Sequence, residues 1–220
     1  MAKAKALSKM ILLTADIGGF DEQANHRVNI DTHYYTERNL PHPLPNLNNR
    51  LKGKYIKILS HRFLWAPSYL WVDGSVEISN PDFVKFMGDK LRGYDVALPL
   101  HPERTNVYEE LTYMREKIAL GKEYLVARYG KEPLKAEDYY YRKSKMPESY
   151  PLYACRVFAR NNNPVVNAAF SEWWMGVLEY SNFDQTMFSF IAWKHKLKVN
   201  AFPYSDLDRF LTVSKHKIIS

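Results

Sequence analysis

The chain has 220 residues, of which 46% are hydrophobic and 15% aromatic, so it can bury a core and is not a disordered tail. This length suits a single domain covering residues 1–220. The 31 Lys and Arg against 24 Asp and Glu give a net charge of +7, which favours an anionic partner such as nucleic acid, a membrane surface or a nucleotide diphosphate. The single cysteine, Cys155, excludes an internal disulfide framework.

No segment of the sequence predicts insertion into a membrane or export. No apolar run approaches the roughly 18 to 20 residues that a membrane-spanning helix needs. The apolar run at residues 10–13 follows several lysines, but it is too short for the core of a signal peptide and is soon followed by Asp16. We therefore expect a soluble, cytoplasmic protein with no membrane span.

The N-terminal part predicts a buried strand, a second strand and a basic helix. Residues 10–15 are short and apolar, which is typical of a buried parallel strand, and Asp16 and a glycine pair follow. A second strand is predicted at residues 33–36, and a helix at residues 48–60. Four basic side chains recur at helical spacing from that helix onward and would share one face, namely Arg50, Lys54, Lys57 and His61. The alternative is a solvated basic face with no ligand.

The stretch at residues 69–78 delivers one acidic side chain at the end of an apolar run. Asp73 ends the run, Gly74 breaks the strand, and Ser75 adds a hydroxyl group. Open α/β sheets bind ligands at the carboxyl ends of their strands. Asp73 is therefore predicted to hold a cation or a sugar, and His101, after a strand at residues 95–100, is predicted to lie at a similar strand end.

The remaining elements alternate between helices and short strands. Helices are predicted at residues 81–91, 107–127, 164–180 and 184–193, and strands at 152–159 and 199–202. Residues 132–148 are expected to form a helix and a mobile loop that could close over a ligand. Trp173 lies in the apolar stripe of its helix and is more typical of a core position, and Cys155 is expected to be a packed thiol in the middle of a strand.

The residues that could carry chemistry are acidic side chains at strand ends, a basic helix face and many aromatic rings. The chain contains no C-x-x-C, H-E-x-x-H or G-x-S-x-G motif, so zinc hydrolysis and serine-hydrolase chemistry have no support. A nucleotide sugar requires the features that are present, because cations neutralise its diphosphate and flat rings bind its sugar. A metal at such a site would be a hard-ligand ion, Mn²⁺ or Mg²⁺.

Several blocks of the sequence resemble one family, in the family's order and over most of the chain. They lie at residues 13–21, 49–52, 57–61, 69–78, 101–102, 108–110, 157–160, 173–174, 180–181, 184–185 and 188–190. In these blocks the chain is similar to the glycosyltransferase-like domain of plant, bacterial and viral proteins, of the TOD1/MUCI70 type. The resemblance implies a GT-A-like nucleotide-binding α/β sandwich, with a mixed, mostly parallel central sheet flanked by helices. It also implies transfer of a sugar from a nucleotide-sugar donor, a UDP-sugar first of all, to a hydroxyl group of a glycan acceptor.

The resemblance also assigns roles to individual residues. The nucleotide-sugar site would be formed by Thr14, Ala15, Asp16, Arg50, Lys54, Lys57, His61, Asp73, Gly74 and Ser75. Asp184 would lie beside the transferred sugar, either as the general base or as an orienting carboxylate, and Gln185 would follow it. Contacts with the acceptor or the sugar would come from His101, Glu109, Arg160 and Trp173.

Two departures from the family's pattern affect the expected Mn²⁺ or Mg²⁺. The usual D-x-D signature is Asp73-Gly74-Ser75 here, so its second carboxylate is missing. Asp73 would then need another ligand, for which His195 and His216 are the candidates, and metal-independent transfer stays open. The family's basic residue before the Asp-Gln pair is Phe183 in this chain, so a charge at that position is not expected.

Two other functions are compatible with the sequence. A basic nucleic-acid-binding module would use the face from Arg50 to His61, but no recognition motif accompanies it and the aromatic residues do not interleave with the basic ones. A catalytically inactive nucleotide-sugar-binding relative would account for the missing carboxylate. The glycosyltransferase is the first interpretation, with no nucleic-acid partner expected.

Overall fold

A computed structural model describes residues 10–21 and 26–214. Its strands are β1 (Met10–Ala15), β2 (Thr32–Tyr35), β3 (Ser68–Val72), β4 (Val76–Ile78), β5 (Val96–Pro99), β6 (Val157–Asn161), β7 (Val199–Phe202) and β8 (Leu211–Val213). Six of them form one sheet in the order β2-β1-β3-β6-β5-β7, while β4 and β8 form a separate antiparallel pair.

The central sheet is mixed and mostly parallel, as predicted. Strand β1 pairs in parallel with β2 and β3, and β5 pairs in parallel with β7. Only β6 runs in the opposite direction, between β3 and β5. The carboxyl ends of β1, β3 and β5 therefore meet at one edge of the sheet, where residues that follow these strands come together.

The described helices are α1 (Asn49–Leu59), α2 (Asp82–Leu91), α3 (Val107–Ala119), α4 (Glu123–Tyr129), α5 (Leu134–Lys143), α6 (Pro164–Glu179) and α7 (Asp184–Lys194). Asn48, Asn106 and Asn163 cap α1, α3 and α6, since each side chain accepts a hydrogen bond from a backbone N–H of the first turn. Among the described helices, none has both the length and the apolar character that crossing a membrane requires.

Helices cover both faces of the central sheet. Alternate side chains of β1 enter different cores: Leu13 packs with the aromatic residues of α6 and α7, whereas Leu12 packs with α2 and the small sheet. Trp173 and Phe188 lie at the centre of the larger core, with ring centroids 4.9 Å apart. The result is the three-layer α/β sandwich that the sequence predicts.

Two predicted elements and the predicted position of Cys155 differ from the structure. The helix predicted at residues 107–127 is two helices, because Gly121 adopts a left-handed conformation (φ 70°) and ends α3 before α4 begins. The strand predicted at residues 152–159 begins only at Val157, and Tyr153 forms no more than an isolated bridge with Leu100. Cys155 is buried as predicted, but it lies in the turn before β6 and not within a strand.

The stretch at residues 69–78 splits between the two sheets. Strand β3 ends at Val72, and the turn is closed by a hydrogen bond from the backbone N–H of Val76 to the carbonyl oxygen of Asp73, 2.9 Å long. The chain then leaves the central sheet and enters β4. The Asp73 side chain is thereby held at the carboxyl edge of the central sheet.

Candidate functional site

Asp73 is fixed at the end of β3 by its neighbours in sequence and by one lysine. Its Oδ1 accepts hydrogen bonds from Trp71 Nε1 at 2.6 Å and from Lys57 Nζ at 3.3 Å. Its backbone N–H donates to the carbonyl oxygen of Arg156. The side chain is 35% exposed, so part of the carboxylate faces solvent and is accessible to a ligand.

Asp184, the first residue of α7, is more deeply buried and is paired with two lysines. Lys54 Nζ lies 2.9 Å from its Oδ1, and Lys57 Nζ lies 2.8 Å from its Oδ2. The side chain is only 14% exposed, and Trp173 Nε1 donates a hydrogen bond to the Asp184 backbone oxygen. Burial opposes ionisation of Asp184, but the two ammonium groups outweigh it and hold its pKa well below the usual range.

Lys54, Lys57, Asp73 and Asp184 form one connected cluster, which we call the charge quartet. Lys57 is its centre, since its ammonium group contacts both carboxylates while the side chain is only 6% exposed. Burial disfavours the charged form of Lys57, but the two carboxylates raise its pKa above the ordinary value. Burial lowers the pKa of Lys54, and the nearby Asp184 charge offsets only part of this decrease. The basic face predicted on α1 is therefore turned inward at these two positions and is not a solvated face.

The ends of β1 and β3 approach each other closely at Gly74. A Cβ atom at this position would lie 2.7 Å from the Ala15 carbonyl oxygen and 2.9 Å from Asp21 Oδ2, so only glycine fits. The Asp21 backbone N–H donates to Asp16 Oδ1 at 3.3 Å, and burial raises the pKa of Asp16. The structure thus places Ala15 and Asp16 beside the turn that holds Asp73.

Thr14 and Ser75 are close to this turn but have almost no exposed surface. Thr14 is buried within β1, and its Oγ1 has no hydrogen-bond partner in the part of the chain that the structure describes. Ser75 is buried as well, and its backbone oxygen accepts a hydrogen bond from Ser214. Their predicted contacts with a nucleotide stay predictions.

A second polar chain leads away from Gln185, which follows Asp184. Gln185 Nε2 donates to Glu110 Oε1 at 2.8 Å, and Glu110 is paired with Arg104, which lies 3.3 Å from His101 Nε2. Burial and the Arg104 charge lower the pKa of His101 to about 4, so its ring is neutral at neutral pH. Glu109 uses its carboxylate to accept hydrogen bonds from Thr105 and Asn106 at the start of α3.

An open groove of about 510 Å³ lies along α3 next to this polar chain. Arg104 forms part of its wall, with its guanidinium 4.2 Å from the centre of the Tyr113 ring. Glu109 also lines the groove. Of the predicted acceptor residues, Glu109 therefore lines this groove, and His101 is connected to Gln185 through Arg104 and Glu110.

The other two predicted acceptor residues are buried in the core and require a correction. Arg160 has no exposed surface: it lies between the rings of Tyr69 and Phe170, at 4.4 Å from each, and donates a hydrogen bond to Ser60 Oγ. Trp173 is also fully buried. Neither side chain has a surface that a saccharide could contact in this conformation, so both stabilise the fold around the site.

His61 belongs with Arg160 and not with the charge quartet. Its Nδ1 lies 3.3 Å from Arg160 Nη2, and its Nε2 lies 3.4 Å from Ser171 Oγ. Burial and the Arg160 charge lower the pKa of His61 to about 4, which leaves the imidazole neutral at neutral pH. The helical spacing correctly placed Lys54 and Lys57 together, but His61 follows in a 3-10 turn and contacts other residues.

The expected metal site does not fit the described residues. His195 caps the carboxyl end of α7, about 16 Å along the helix from Asp184, and its Nε2 lies 2.6 Å from Glu172 Oε2. It is therefore not brought to Asp73, whose Oδ1 already contacts an ammonium group and an indole N–H. Within residues 10–21 and 26–214, no three His, Cys, Asp or Glu side chains are grouped as a metal ion would require. His216 lies outside the described residues.

One residue of the site was missed by the sequence analysis. Arg128, near the end of α4, lies beside Arg50, whose Nη1 donates a hydrogen bond to the Arg128 backbone oxygen at 2.9 Å. Each guanidinium lies 5.7 Å from the centre of the Tyr129 ring. The charge of Arg128 also acts on Asp184, so α4 contributes to the electrostatics of the site.

Comparisons with known proteins give one family and a number of remote structural likenesses. No curated protein matches this chain in sequence. The crystal structure of mouse xyloside xylosyltransferase 1 in its apo form is 10% identical, with 88% of this chain and 84% of that one covered and a TM-score of 0.47. The structure of A197 from STIV is also 10% identical, with 96% and 97% covered and a TM-score of 0.37.

One protein family matches most of the chain in sequence. A family model described as "TOD1/MUCI70, glycosyltransferase-like domain" matches residues 39–216, which include α1, both acidic residues of the charge quartet and the polar chain from Gln185 to His101. Among the described elements, only β1 and β2 precede the matched residues. With most of its length matched, the chain belongs to the TOD1/MUCI70 glycosyltransferase-like domain family.

Proposed function

We propose that this protein transfers a sugar from a nucleotide-sugar donor, with a UDP-sugar as the first candidate, to a hydroxyl group of a saccharide acceptor. The observation that carries the proposal is the charge quartet, which lies at the carboxyl edge of the sheet in a member of a glycosyltransferase-like family. Open α/β sheets bind nucleotides at this edge. A cluster with two lysines there suits a diphosphate, which needs cations when it is bound and more so when it leaves.

The bond changes of the reaction define what the site must do. The bond between the anomeric carbon and the diphosphate oxygen breaks, and the diphosphate leaves with the electron pair. The acceptor oxygen forms the new glycosidic bond to the anomeric carbon, and its proton would pass to the departing diphosphate oxygen. Lys54 and Lys57 would stabilise the charge that develops on the leaving diphosphate, because donors aimed at a developing charge stabilise the transition state more than the bound substrate.

Asp184 suits the role of an orienting carboxylate better than that of a general base. Its pKa is held far below the usual range by two ammonium groups, so it binds a proton only weakly at neutral pH. A general base is most effective with a pKa near the working pH. Asp184 would instead fix both lysines and contact the transferred sugar, while Asp73, the more exposed carboxylate, would contact donor hydroxyl groups.

The acceptor would bind in the groove along α3. The groove combines charged side chains with the Tyr113 ring and adjoins the chain from His101 through Arg104 and Glu110 to Gln185. Sugars stack on flat rings and form hydrogen bonds with such side chains. This arrangement would bring an acceptor hydroxyl to the side of the site where Gln185 and Asp184 begin α7.

The two other functions receive different support. A nucleic-acid-binding face on α1 is disfavoured, because Lys54 and Lys57 are paired with carboxylates and are not displayed to solvent. An inactive nucleotide-sugar-binding relative is compatible with the missing second acid of the D-x-D signature. It differs from the enzyme only in turnover, so one assay separates the two.

The test is a survey of nucleotide sugars in which nucleoside diphosphate release and donor binding are both measured. Each donor is assayed with and without Mn²⁺ or Mg²⁺ and with and without simple saccharide acceptors. The Lys57→Gln variant should reduce turnover by about 100-fold, the effect of removing one donor that stabilises a transition-state charge. The control is Lys85→Gln, which removes an exposed lysine of α2.

The outcomes distinguish the candidates. Tight donor binding without hydrolysis or transfer would identify an inactive relative. Absence of both binding and turnover with every nucleotide sugar would contradict the proposal. Turnover that Lys57→Gln leaves unchanged would remove the charge quartet from the mechanism.

A further inference from the structure

Arg50 and Arg128 bring two guanidinium groups together with no carboxylate between them. They come from α1 and α4, share the Tyr129 ring and are joined by the hydrogen bond from Arg50 Nη1 to the Arg128 backbone oxygen. Neither forms an ion pair with an acidic side chain in the described residues 10–21 and 26–214. Arg128 contacts the Tyr124 hydroxyl group, and its buried Nε has no partner there.

Two like charges in partly buried positions are costly unless an anion neutralises them. The pKa of Arg50 is lowered by burial first and by the Arg128 charge next. Burial also opposes the charge of Arg128, but Tyr129, Tyr124 and Asp184 outweigh it and raise the pKa of Arg128, so the repulsion acts mainly on Arg50. Glu132 acts on Arg50 less than the other charges do, and its carboxylate accepts hydrogen bonds from the backbone and side-chain nitrogens of Asn182. The pair therefore has the composition of an anion site, two planar donors suited to phosphate oxygens.

This arginine pair is continuous with the charge quartet. Lys54 follows Arg50 by one turn on α1 and contacts Asp184, and the Arg128 charge also acts on Asp184. The four cations Arg50, Lys54, Lys57 and Arg128 outnumber the two carboxylates of the charge quartet, Asp73 and Asp184, which leaves a positive excess. The two phosphates of a nucleotide sugar each carry a negative charge and would balance it.

A divalent ion is poorly matched to the same place. The Asp73 carboxylate that would bind it already contacts the Lys57 ammonium group through Oδ1 at 3.3 Å, and Lys57 is itself held by Asp184. An ion on Asp73 would be repelled by this buried positive charge or would have to displace it. The second acid of the D-x-D signature is absent, and His195 is bound to Glu172 at the far end of α7.

We propose that Arg50 and Arg128, together with Lys54 and Lys57, hold the donor diphosphate in place of a divalent metal ion. The inference rests on the proposed function, since it specifies how the same site binds its donor. It predicts that nucleoside diphosphate binding needs no metal and depends on Arg128. Inorganic pyrophosphate should compete for the same site, because the arginine pair recognises the diphosphate and not the base.

The experiment measures UDP binding by calorimetry in a chelating buffer and again with Mn²⁺, with pyrophosphate as a competitor. We expect equal affinity in both buffers for the wild-type protein. Arg128→Gln and Arg50→Gln should each weaken UDP binding by about tenfold or more, the effect of one lost charge-assisted contact. Arg128→Lys keeps the charge but loses the planar guanidinium, so its UDP affinity should lie between that of Arg128→Gln and that of the wild type. Arg92→Gln is the matched control, since it removes an exposed arginine of α2.

The possible results are separable. Binding that appears only with Mn²⁺ would overturn the inference and leave the proposed function intact. Equal binding in both buffers with no effect of Arg128→Gln or Arg50→Gln would overturn the assignment of the arginine pair. No binding of UDP, other nucleoside diphosphates or nucleotide sugars under any condition would remove both the inference and the proposed function. The comparison of buffers uses the wild-type protein, so it holds even if a variant fails to fold.

Discussion

Replacing Asp184 with Asn is the sharpest test of how the charge quartet is held together. The two side chains have nearly the same shape, so the change removes a charge and leaves the packing in place. Lys54 and Lys57 then lose the carboxylate that lies within 2.9 Å of each ammonium group. Lys57 keeps its contact with Asp73, whereas Lys54 keeps no ion pair in the described part of the chain.

The expected loss of stability follows from two independent estimates. Removing one partner of a buried ion pair costs about 3 to 5 kcal/mol, because the other charge stays buried without compensation. Lys54 can limit this cost by releasing its proton, and deprotonating an ordinary lysine at pH 7 costs about 4.6 kcal/mol (3.4 pH units at about 1.36 kcal/mol each). Both estimates agree on a loss of about 3 to 5 kcal/mol, or about 6 to 20 °C in Tm for a domain of this size.

Urea unfolding of the wild type and of the Asp184→Asn variant between pH 3 and pH 8 measures this loss. Because the lysines lower the pKa of Asp184, its stabilisation is present above the unfolded-state pKa of about 3.9 and is lost as the pH falls below it. The difference between the two proteins should therefore shrink in acid. The control is Asp89→Asn, which removes an exposed carboxylate of α2 and should change stability by less than about 0.5 kcal/mol.

A loss below about 1 kcal/mol, similar to that of the control, would refute the reasoning. It would mean that the lysines are solvated and independent of Asp184. A loss of the expected size that did not shrink in acid would instead attribute the effect to packing and not to charge.

Three further predictions concern the surroundings of the site. Gly74→Ala should lower stability by about 1 to 3 kcal/mol, because its Cβ would lie 2.7 Å from a backbone oxygen. Gly53→Ala, in open space on α1, should raise stability by about 0.5 to 1 kcal/mol. Equal effects of the two substitutions in thermal unfolding would contradict this. Glu137 is fully buried and accepts hydrogen bonds from three hydroxyl groups, so Glu137→Ala should cost about 3 kcal/mol in urea unfolding and Glu137→Gln clearly less. Burial and a nearby arginine lower the pKa of both His61 and His101 to about 4. Between about pH 6.5 and pH 4 the unfolded chain binds protons that the folded chain does not, so the free energy of unfolding should fall as the pH drops through this range. Replacing both histidines with Asn should flatten this part of the plot of stability against pH.

Of the two acidic residues of the site, Asp73 could be predicted from a local signal, whereas Asp184 was assigned by the family resemblance. Asp73 ends an apolar run before a glycine, so it lies at a strand end, where α/β sheets bind ligands. Lys54 and Lys57 were predictable from helical spacing on α1. That they are buried with Asp184 was not, since residues more than a hundred positions apart share no local pattern.

Arg128 was missed because the helix at residues 107–127 was predicted as one element. A continuous helix would carry its end away from α1, but the turn at Gly121 lets α4 pack against α3 and brings Arg128 to Arg50. Glycine after a helical run is a known termination signal, and it was present here at Gly121. The error therefore came from an overlooked turn and not from a missing signal.

Arg160 shows a different limit of sequence patterns. A charged residue at the end of a predicted strand indicates an exposed side chain, yet this one is enclosed by two aromatic rings and a serine. The rings of Tyr69 and Phe170 come from β3 and α6, so the enclosure depends on tertiary packing. Local pattern and charge could not reveal it.

The position of Cys155 has a practical consequence for following the site in solution. The thiol is 2% exposed, and its pKa is raised well above the ordinary value, first by burial. The charges of Lys57, Asp184 and Asp73 act on it directly, so it lies against the charge quartet. Because the chain has no other cysteine, the rate at which a thiol reagent labels the native protein measures local opening beneath the charge quartet. Binding of a donor that rigidifies the site would slow this labelling, and no probe needs to be introduced.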